Sequence, residues 1–363
     1  MTELVGSEPF GVGLVGCGSI SAAYLETLVA APEVQIVGCT DENLTAARAT
    51  AERFSLIPVG STAELLALEG VDVVLNLTPP LAHAAVSEAA LRAGKHVYSE
   101  KPLAATFTDA SRLMSLAEAS SLRIGAAPDT FLGAGWQTAR RLIDEGLIGV
   151  PMAADAAFFT GGHEEWHPRP SFYYAPGGGP LMDMGPYYLT GLVSLLGPAV
   201  RATGSARAAF AERTIKTGPD AGTVVPVAVP THFAGVIEFA SGPIASLTTS
   251  FDLWSPSSPR ALVHGREATL ELPDPNEFSG TMRVWTRSAG WREIPLDAPA
   301  DPVQSRGLGL IDMCRALAAQ RPHRASGALA LHVLEIMESI GTAAQTGEHR
   351  TLTTTITRPE PLI

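Results

Sequence analysis

Lys101, Asp183 and Tyr187 are the side chains best suited to handling a proton at a reacting carbon. Lys101 stands in Glu100-Lys101-Pro102, directly after a short apolar run, and Asp183 and Tyr187 stand four apart in a long apolar segment. If that segment is helical, the last two share a face. A carbon that gives or takes a hydride needs its oxygen polarised and its proton moved. A lysine whose pKa is lowered from about 10.4 by a neighbouring positive charge can hold an alkoxide or relay the proton. Tyrosine, with a free pKa of about 10, acts as a base only beside a cation such as Lys101. Tyr187 therefore has three open roles: proton donor and acceptor, hydrogen-bonding positioner, or structural aromatic. In the latter two, Lys101 or Asp183 carries the proton. The structural alternatives are a solvated loop lysine and a helix N-terminal aspartate favoured by the dipole.

A second constellation suits a dinucleotide. Gly16-Cys17-Gly18-Ser19-Ile20-Ser21 follows an apolar run and opens a helical pattern. Gly16 permits a tight turn, Gly18 leaves room for a pyrophosphate, and Ser21 occupies the position usual for a third glycine. Asp41 ends the next apolar run, where an acid accepts hydrogen bonds from ribose hydroxyls and repels a 2′-phosphate. Its neighbours Thr40, Glu42 and Asn43 offer no cation. This predicts NAD over NADP.

The stretch 161–174, which holds His163, Trp166, His167, Phe172 and Tyr173, is rich in aromatic and polar groups. It suits a loop over a sugar-like ligand. Its His and Glu residues lack a regular metal-ligand spacing and prolines interrupt them, so no metal is expected. Asp129 reads as a substrate-hydroxyl acceptor or a turn carboxylate. His323 and His332 read as satisfied or surface histidines, and Trp254, Trp285 and Trp291 as packing or subunit-contact residues. Cys17, Cys39 and Cys314 form no disulfide framework and read as small buried hydrophobes.

The elements that must position these groups come in two styles. Up to about residue 126, apolar runs at 12–15, 34–39, 71–77, 96–98 and 122–125 alternate with helical patterns at 21–31, 44–54, 62–68, 82–93 and 108–119. Continuous apolar strands separated by helices predict a doubly wound parallel sheet of Rossmann type. Thr78, Pro79 and Lys101 then fall at strand C-termini, which face the ligand crevice. Beyond it, alternating segments at 152–159, 200–210, 227–239, 243–251, 261–264, 268–272, 281–286 and 291–294 predict a large, open, mostly antiparallel sheet. Helices are expected at 135–145, 181–196, 308–319 and 325–346, and an exposed loop at 216–230. The division is thus an NAD-binding domain at 1–126 and an α+β substrate and oligomerisation domain at 127–363. An open sheet with helices on one face also predicts a homo-oligomer.

The bulk numbers narrow the classes. In 363 residues, 46% are hydrophobic and 17% charged, enough apolar material for two cores. A net charge of −12 argues against binding nucleic acid. No apolar run is long enough to span a membrane, and the N-terminal residues lack the basic start of a signal, so the expected compartment is the cytoplasm.

Three motifs carry a resemblance. Thr78-Pro79-Pro80-Leu81-Ala82-His83 follows the run at 71–77, Glu100-Lys101-Pro102 follows the run at 96–98, and Gly177-Gly178-Gly179-Pro180-Leu181-Met182-Asp183-Met184-Gly185-Pro186-Tyr187 comes later. On these, nearly the whole chain resembles the glucose–fructose oxidoreductase and inositol dehydrogenase (Gfo/Idh/MocA) family. The resemblance implies that the first two motifs, with His83 and Glu100, border the nicotinamide, and that the third brings an acid and a base from the second domain. The family usually has histidine where this chain has Tyr187. It further implies an NAD(P)-dependent dehydrogenase or reductase acting on a secondary alcohol or ketone carbon of a sugar, polyol or sugar derivative. Two alternatives remain: a lyase or glycoside-cleaving enzyme that retains NAD and uses transient oxidation, and a non-catalytic NAD-binding sensor. The expectation is that Lys101 and Asp183 converge on one nicotinamide face.

Overall fold

The apolar runs of the first third become β1 (Phe10–Val15), β2 (Val34–Thr40), β3 (Ile57–Pro58), β4 (Val73–Asn76), β5 (His96–Ser99) and β6 (Ile124–Ala126). The computed structural model describes residues 8–167, 169–255 and 260–362; most of the N-terminal stretch read for a signal, and Pro168 of the aromatic stretch, lie outside these. The six strands pair in parallel in the order β3-β2-β1-β4-β5-β6. Val12, Leu14, Val73, Leu75 and Val97 have no exposed surface. Burial on both faces explains why these runs are continuously apolar rather than alternating. β3 escapes the sequence pattern because it is two residues long and both side chains are exposed.

Helices α1 (Ser21–Leu28), α2 (Leu44–Phe54), α3 (Thr62–Ala67), α4 (His83–Arg92) and α5 (Phe107–Ala119) connect the strands. Local chemistry sets several starts. The side chains of Asn43, Ser61 and Thr106 accept from the backbone N–H of Thr45, Glu64 and Asp109, each satisfying an otherwise orphaned helix donor.

By contacts the chain divides into two units: Met1–Asp129 with Asp301–Leu331, and Thr130–Ala300 with His332–Ile363. The segment 301–331, which the sequence reading places in the later domain, thus packs with the parallel sheet. Its helix Leu308–Ala318 buries Leu308, Leu310, Ile311, Met313 and Cys314 completely. Ala126 N–H donates to the Ala325 carbonyl at 3.0 Å, and Gly125 bridges Ser326 beside β6. Helical periodicity reports that a helix has an apolar face; it carries no information on which sheet that face will cover.

The second unit is built on α6 (Ala134–Asp144), β7 (Pro151–Phe159), α7 (Pro180–Leu196), β8 (Ala199–Arg207), β9 (Glu212–Thr214), β10 (Val224–Pro226), β11 (His232–Phe239), β12 (Ile244–Ser250), β13 (Arg260–Gly265), β14 (Ala268–Leu272), β15 (Met282–Thr286), β16 (Gly290–Ile294) and β17 (Arg350–Thr351). Nine of these strands form one sheet in the order β16-β15-β14-β13-β7-β12-β11-β8-β17. Only the β7–β12 pair among them is parallel. The loop expected at 216–230 is corrected in part, because β10 lies inside it and pairs with β9. Val225 is pulled into a small core with Tyr174, Ile215 and Phe251, a contact that a Gly- and Pro-rich composition does not disclose. α7 is buried along most of its length and packs on β7, β11 and β12. Trp285 and Trp291 face each other across β15 and β16, each about two-fifths exposed (40% and 44%), and Trp254 is largely exposed.

Both late histidines are satisfied. His332 Nε2 accepts from Ala199 N–H at 2.9 Å, which leaves Nδ1 to donate to Thr354 Oγ1 at 2.7 Å. His323 Nε2 lies 3.1 Å from the Ile124 carbonyl, and burial pushes its pKa down to about 4. An imidazole whose folded pKa is depressed stabilises the fold fully above the unfolded value of about 6.5, and that stability is lost as pH falls toward the folded value. His323→Gln should therefore flatten the pH dependence of stability between about pH 6.5 and 4 by about 2 kcal/mol, a figure reduced because the residue is only half-buried. Urea unfolding at several pH values checks it; equal slopes for the two proteins would remove this role for His323.

Candidate active site

The polar groups of the first unit gather at one edge of its sheet. β2, β1, β4 and β5 are consecutive neighbours running in the same direction. Asp41, Gly16, Thr78 and Lys101 follow their four C-terminal ends. Gly16 has φ +101°, and a Cβ there would lie 2.6 Å from the Leu77 backbone, so only glycine fits the crossing of the turn over β4. A Cβ on Gly18 would meet nothing within 4 Å, and Gly18, Ser19 and Ile20 are exposed. The turn is closed underneath and open above, which fits a pyrophosphate. Ser21, at the third position, donates its hydroxyl to the Gly18 carbonyl at 2.7 Å.

Asp41 is pinned to this turn. One carboxylate oxygen accepts from Cys17 N–H at 2.7 Å and the other from Asn43 N–H at 2.7 Å. Each oxygen keeps acceptor capacity for a ribose hydroxyl. Glu100, almost buried, ties the fifth strand tip to the helix after the turn. Its Oε1 accepts from Tyr24 of α1 at 2.8 Å and its Oε2 from Lys101 N–H at 2.9 Å. Burial and the Glu100 charge push the Tyr24 phenol well above its ordinary pKa, which keeps it a donor. Thr78 is half-buried, Pro79 exposed and Lys101 half-buried, and the Lys101-Pro102 peptide is cis. His83 is fully buried, its two ring nitrogens facing the carbonyls of Pro102 and Thr78.

Asp129 has no exposed surface. Its Oδ2 accepts from Gly307 N–H at 2.9 Å and Gly309 N–H at 3.0 Å, at the start of the helix Leu308–Ala318. Burial raises its pKa, against the field of Arg306 and the two amides. The structure makes it a buried helix cap, a role invisible in a sequence where the partners lie 178 and 180 residues away.

In the second unit, Asp183 and Tyr187 both lie on α7. His163 Nε2 lies 3.1 Å from Asp183 Oδ2. The glycine run makes this approach possible. A Cβ on Gly178 would lie 2.5 Å from the carbonyl oxygens of Phe172 and Tyr173, and Gly179 N–H donates to Tyr173 at 2.7 Å. The aromatic stretch is thereby pressed onto the start of α7. His163 packs among Tyr173, Phe251 and Trp166, with ring centroids at 4.1, 4.4 and 5.2 Å. Trp166 and Phe172 are more than half exposed and flank the half-buried His167.

Beside this pair lies a charged cluster that the sequence did not announce. Glu164 accepts from the Tyr174 hydroxyl and, at 2.8 Å, from Arg213; Arg213 also pairs with Asp252, which accepts from Thr231 at 2.7 Å. Glu164 and Arg213 are buried. Glu164, one of the Glu residues of the aromatic stretch, is thus engaged by an arginine and a phenol. Among the described residues no three of His, Cys, Asp and Glu gather as metal ligands.

Residues 10–127 match the model of an oxidoreductase family with an NAD-binding Rossmann fold, and residues 136–271 match the C-terminal domain of the same Gfo/Idh/MocA group. The chain belongs to the Gfo/Idh/MocA family. It is 27% identical over 334 residues to a dTDP-3,4-didehydro-2,6-dideoxy-alpha-D-glucose 3-reductase of Actinomadura kijaniata, covering 87% of this chain and 97% of that protein. The enzyme of the same name from Streptomyces violaceoruber is 34% identical over 196 residues; that alignment spans 53% of this chain and 56% of the relative's length. The fold is similar to a levoglucosan dehydrogenase in complex with NADH and L-sorbose, with a TM-score of 0.81, 20% identity, and coverage of 95% of this chain and 99% of that one. No helix among the described residues is long and apolar enough to cross a membrane.

Within this family member, the first unit brings Gly16, Gly18, Ser19, Ile20, Asp41, Thr78, Pro79, His83, Glu100 and Lys101 to one sheet edge, and the second brings His163, Trp166, His167, Asp183 and Tyr187 to α7 and its approach. Tyr24, Arg213 and Asp252 were missed. No local motif marks them, since each acts on a partner distant in the chain. Removing the one cation of the second-unit cluster should be costly. Arg213→Met leaves two buried carboxylates unpaired and should destabilise the fold by about 3–5 kcal/mol. Denaturant unfolding checks this, and a loss below about 1 kcal/mol would show that the cluster is solvated rather than buried.

Proposed function

We propose that this chain is an NAD-dependent oxidoreductase that moves a hydride between the nicotinamide and a secondary alcohol or ketone carbon of a sugar or sugar derivative. The observation that supports it best is the shared edge of the first sheet, where an open glycine turn, a pinned carboxylate and a lysine follow neighbouring strand ends. The relatives named as dTDP-sugar 3-reductases support a sugar substrate. When bound, the nicotinamide supplies the hydride acceptor or donor.

The chain's own residues then have distinct tasks. Gly18, Ser19 and Ile20 give a pyrophosphate an unobstructed approach to the start of α1. Asp41, held by Cys17 and Asn43, accepts from the ribose hydroxyls and excludes a 2′-phosphate by charge. Lys101 holds the substrate oxygen as it gains or loses its proton. Asp183 and Tyr187 of α7 keep the roles read from the sequence, Asp183 orienting the substrate or its partner and Tyr187 donating or accepting a proton. The exposed faces of Trp166 and Phe172, with His167, fit the apolar face of a sugar ring.

A panel of sugars and polyols followed by NADH absorbance tests the reading directly. Lys101→Ala should lower kcat by about 10²–10⁴-fold while the NAD dissociation constant moves by no more than about twofold. Near-normal turnover in that variant would sink the site assignment. Asp41→Ala should weaken NAD binding and narrow its advantage over NADP; an unchanged ratio of the two affinities would remove the role given to that carboxylate.

A further inference from the structure

His83 opens α4 with no exposed surface. Its Nδ1 lies 2.6 Å from the Pro102 carbonyl oxygen and its Nε2 2.7 Å from the Thr78 carbonyl oxygen. A carbonyl oxygen can only accept, so each contact calls for an N–H. A neutral imidazole has one. It would hold its remaining lone pair against an oxygen at hydrogen-bond distance, an arrangement that repels. The imidazolium donates in both directions.

The two carbonyls belong to the two strand tips that carry the chemistry. Thr78 follows β4, and Pro102 follows β5 and is joined directly to Lys101. The Thr78 turn is held from the other side by Asn76. Asn76 Oδ1 accepts the Thr78 hydroxyl at 2.6 Å, and Asn76 Nδ2 donates to the His83 carbonyl at 3.0 Å and to Ser87 Oγ at 3.1 Å. The charged groups that act on the ring are Glu100, which favours the cation, and Lys101, which opposes it; burial pushes the ring's pKa down and the two carbonyls pull it up. Burial is the largest of these influences and the net direction is down; against it stand the two short contacts, which only the cation satisfies together.

We propose that His83 is a positioning residue and not a cofactor ligand: as a buried imidazolium it ties the Thr78 turn to the Lys101-Pro102 segment and so fixes where Lys101 stands. This rests on the reading of Lys101 given above for its effect on turnover, and on the geometry of the first unit alone for the ring itself. Gln in place of His83 can reach at most one of the two carbonyls well, so it releases one strand tip from the other.

Long-range 1H–15N NMR of the histidine-labelled full chain at pH 7 tests the ring. The expected result is that, among the nine histidines, the signal lost in His83→Gln is one with both ring nitrogens protonated. His83→Gln is also expected to lower kcat by about 10²-fold with a smaller change in substrate KM, because misplacing a catalytic group by an ångström costs that much. A neutral pattern for His83, or a His83→Gln enzyme with wild-type kcat, overturns the proposal. Should the variant fail to fold, the wild-type spectrum alone decides. The spectrum needs no turnover: an inert enzyme with a doubly protonated His83 refutes the catalytic reading and leaves the latch standing, whereas a neutral His83 refutes the latch at any activity.

Discussion

Six short parallel strands covered on both faces leave a polar side chain little place except at their ends. Val12, Leu14, Val73, Leu75 and Val97 fill the interior of the first sheet with no exposed surface. The groups that can bind or react therefore collect where the chain leaves each strand, and the parallel pairing puts the ends of β2, β1, β4 and β5 on a single edge. Everything proposed for the first unit depends on this constraint. The glycine turn, Asp41, Thr78 and Lys101 are separated by up to 85 positions in the chain, yet neighbouring ladders hold them together without any motif spanning them.

Backbone amides and carbonyls do most of the holding. Asp41 is fixed by two N–H groups, Glu100 by a phenol and its neighbour's N–H, and His83 by two carbonyls. Glu100 and His83 are secured in low-dielectric surroundings, where a satisfied bond is strong and an unsatisfied one is costly. Such a network sets geometry more than it adds stability. Its members limit how far one strand tip can drift from the next, and so where the backbone of Lys101 stands.

The second unit solves a similar problem with different parts. Its sheet alternates buried and exposed residues, as in β11, and so builds a one-sided core under α7. The groups proposed to react sit on that helix, and the aromatic stretch is pressed against it by Gly178 and Gly179. Arg213 anchors the stretch from below through Glu164 and Asp252. Rigid backing of an exposed aromatic surface, here Trp166 and Phe172, is what the proposed sugar-binding role requires, since the rings contribute only if they are already in place.

Much of this was legible in the chain alone. Apolar continuity located five of the six parallel strands, alternation most of the second sheet, and helical spacing the positions of α2, α5 and α7 to within a residue or two, because each depends on contacts between near neighbours in sequence. The motifs around Gly16, Thr78, Lys101 and Asp183 could be placed at strand or helix ends for the same reason. Only the tertiary structure assigned the helix Leu308–Ala318 to the first sheet, turned Asp129 into its cap, enclosed His83 between two carbonyls and assembled Glu164, Arg213 and Asp252. Those outcomes depend on which surfaces meet after the chain has folded. A periodicity of two or 3.6 residues states that a face is apolar, and it is packing, acting between residues as far as 180 positions apart, that chooses the partner.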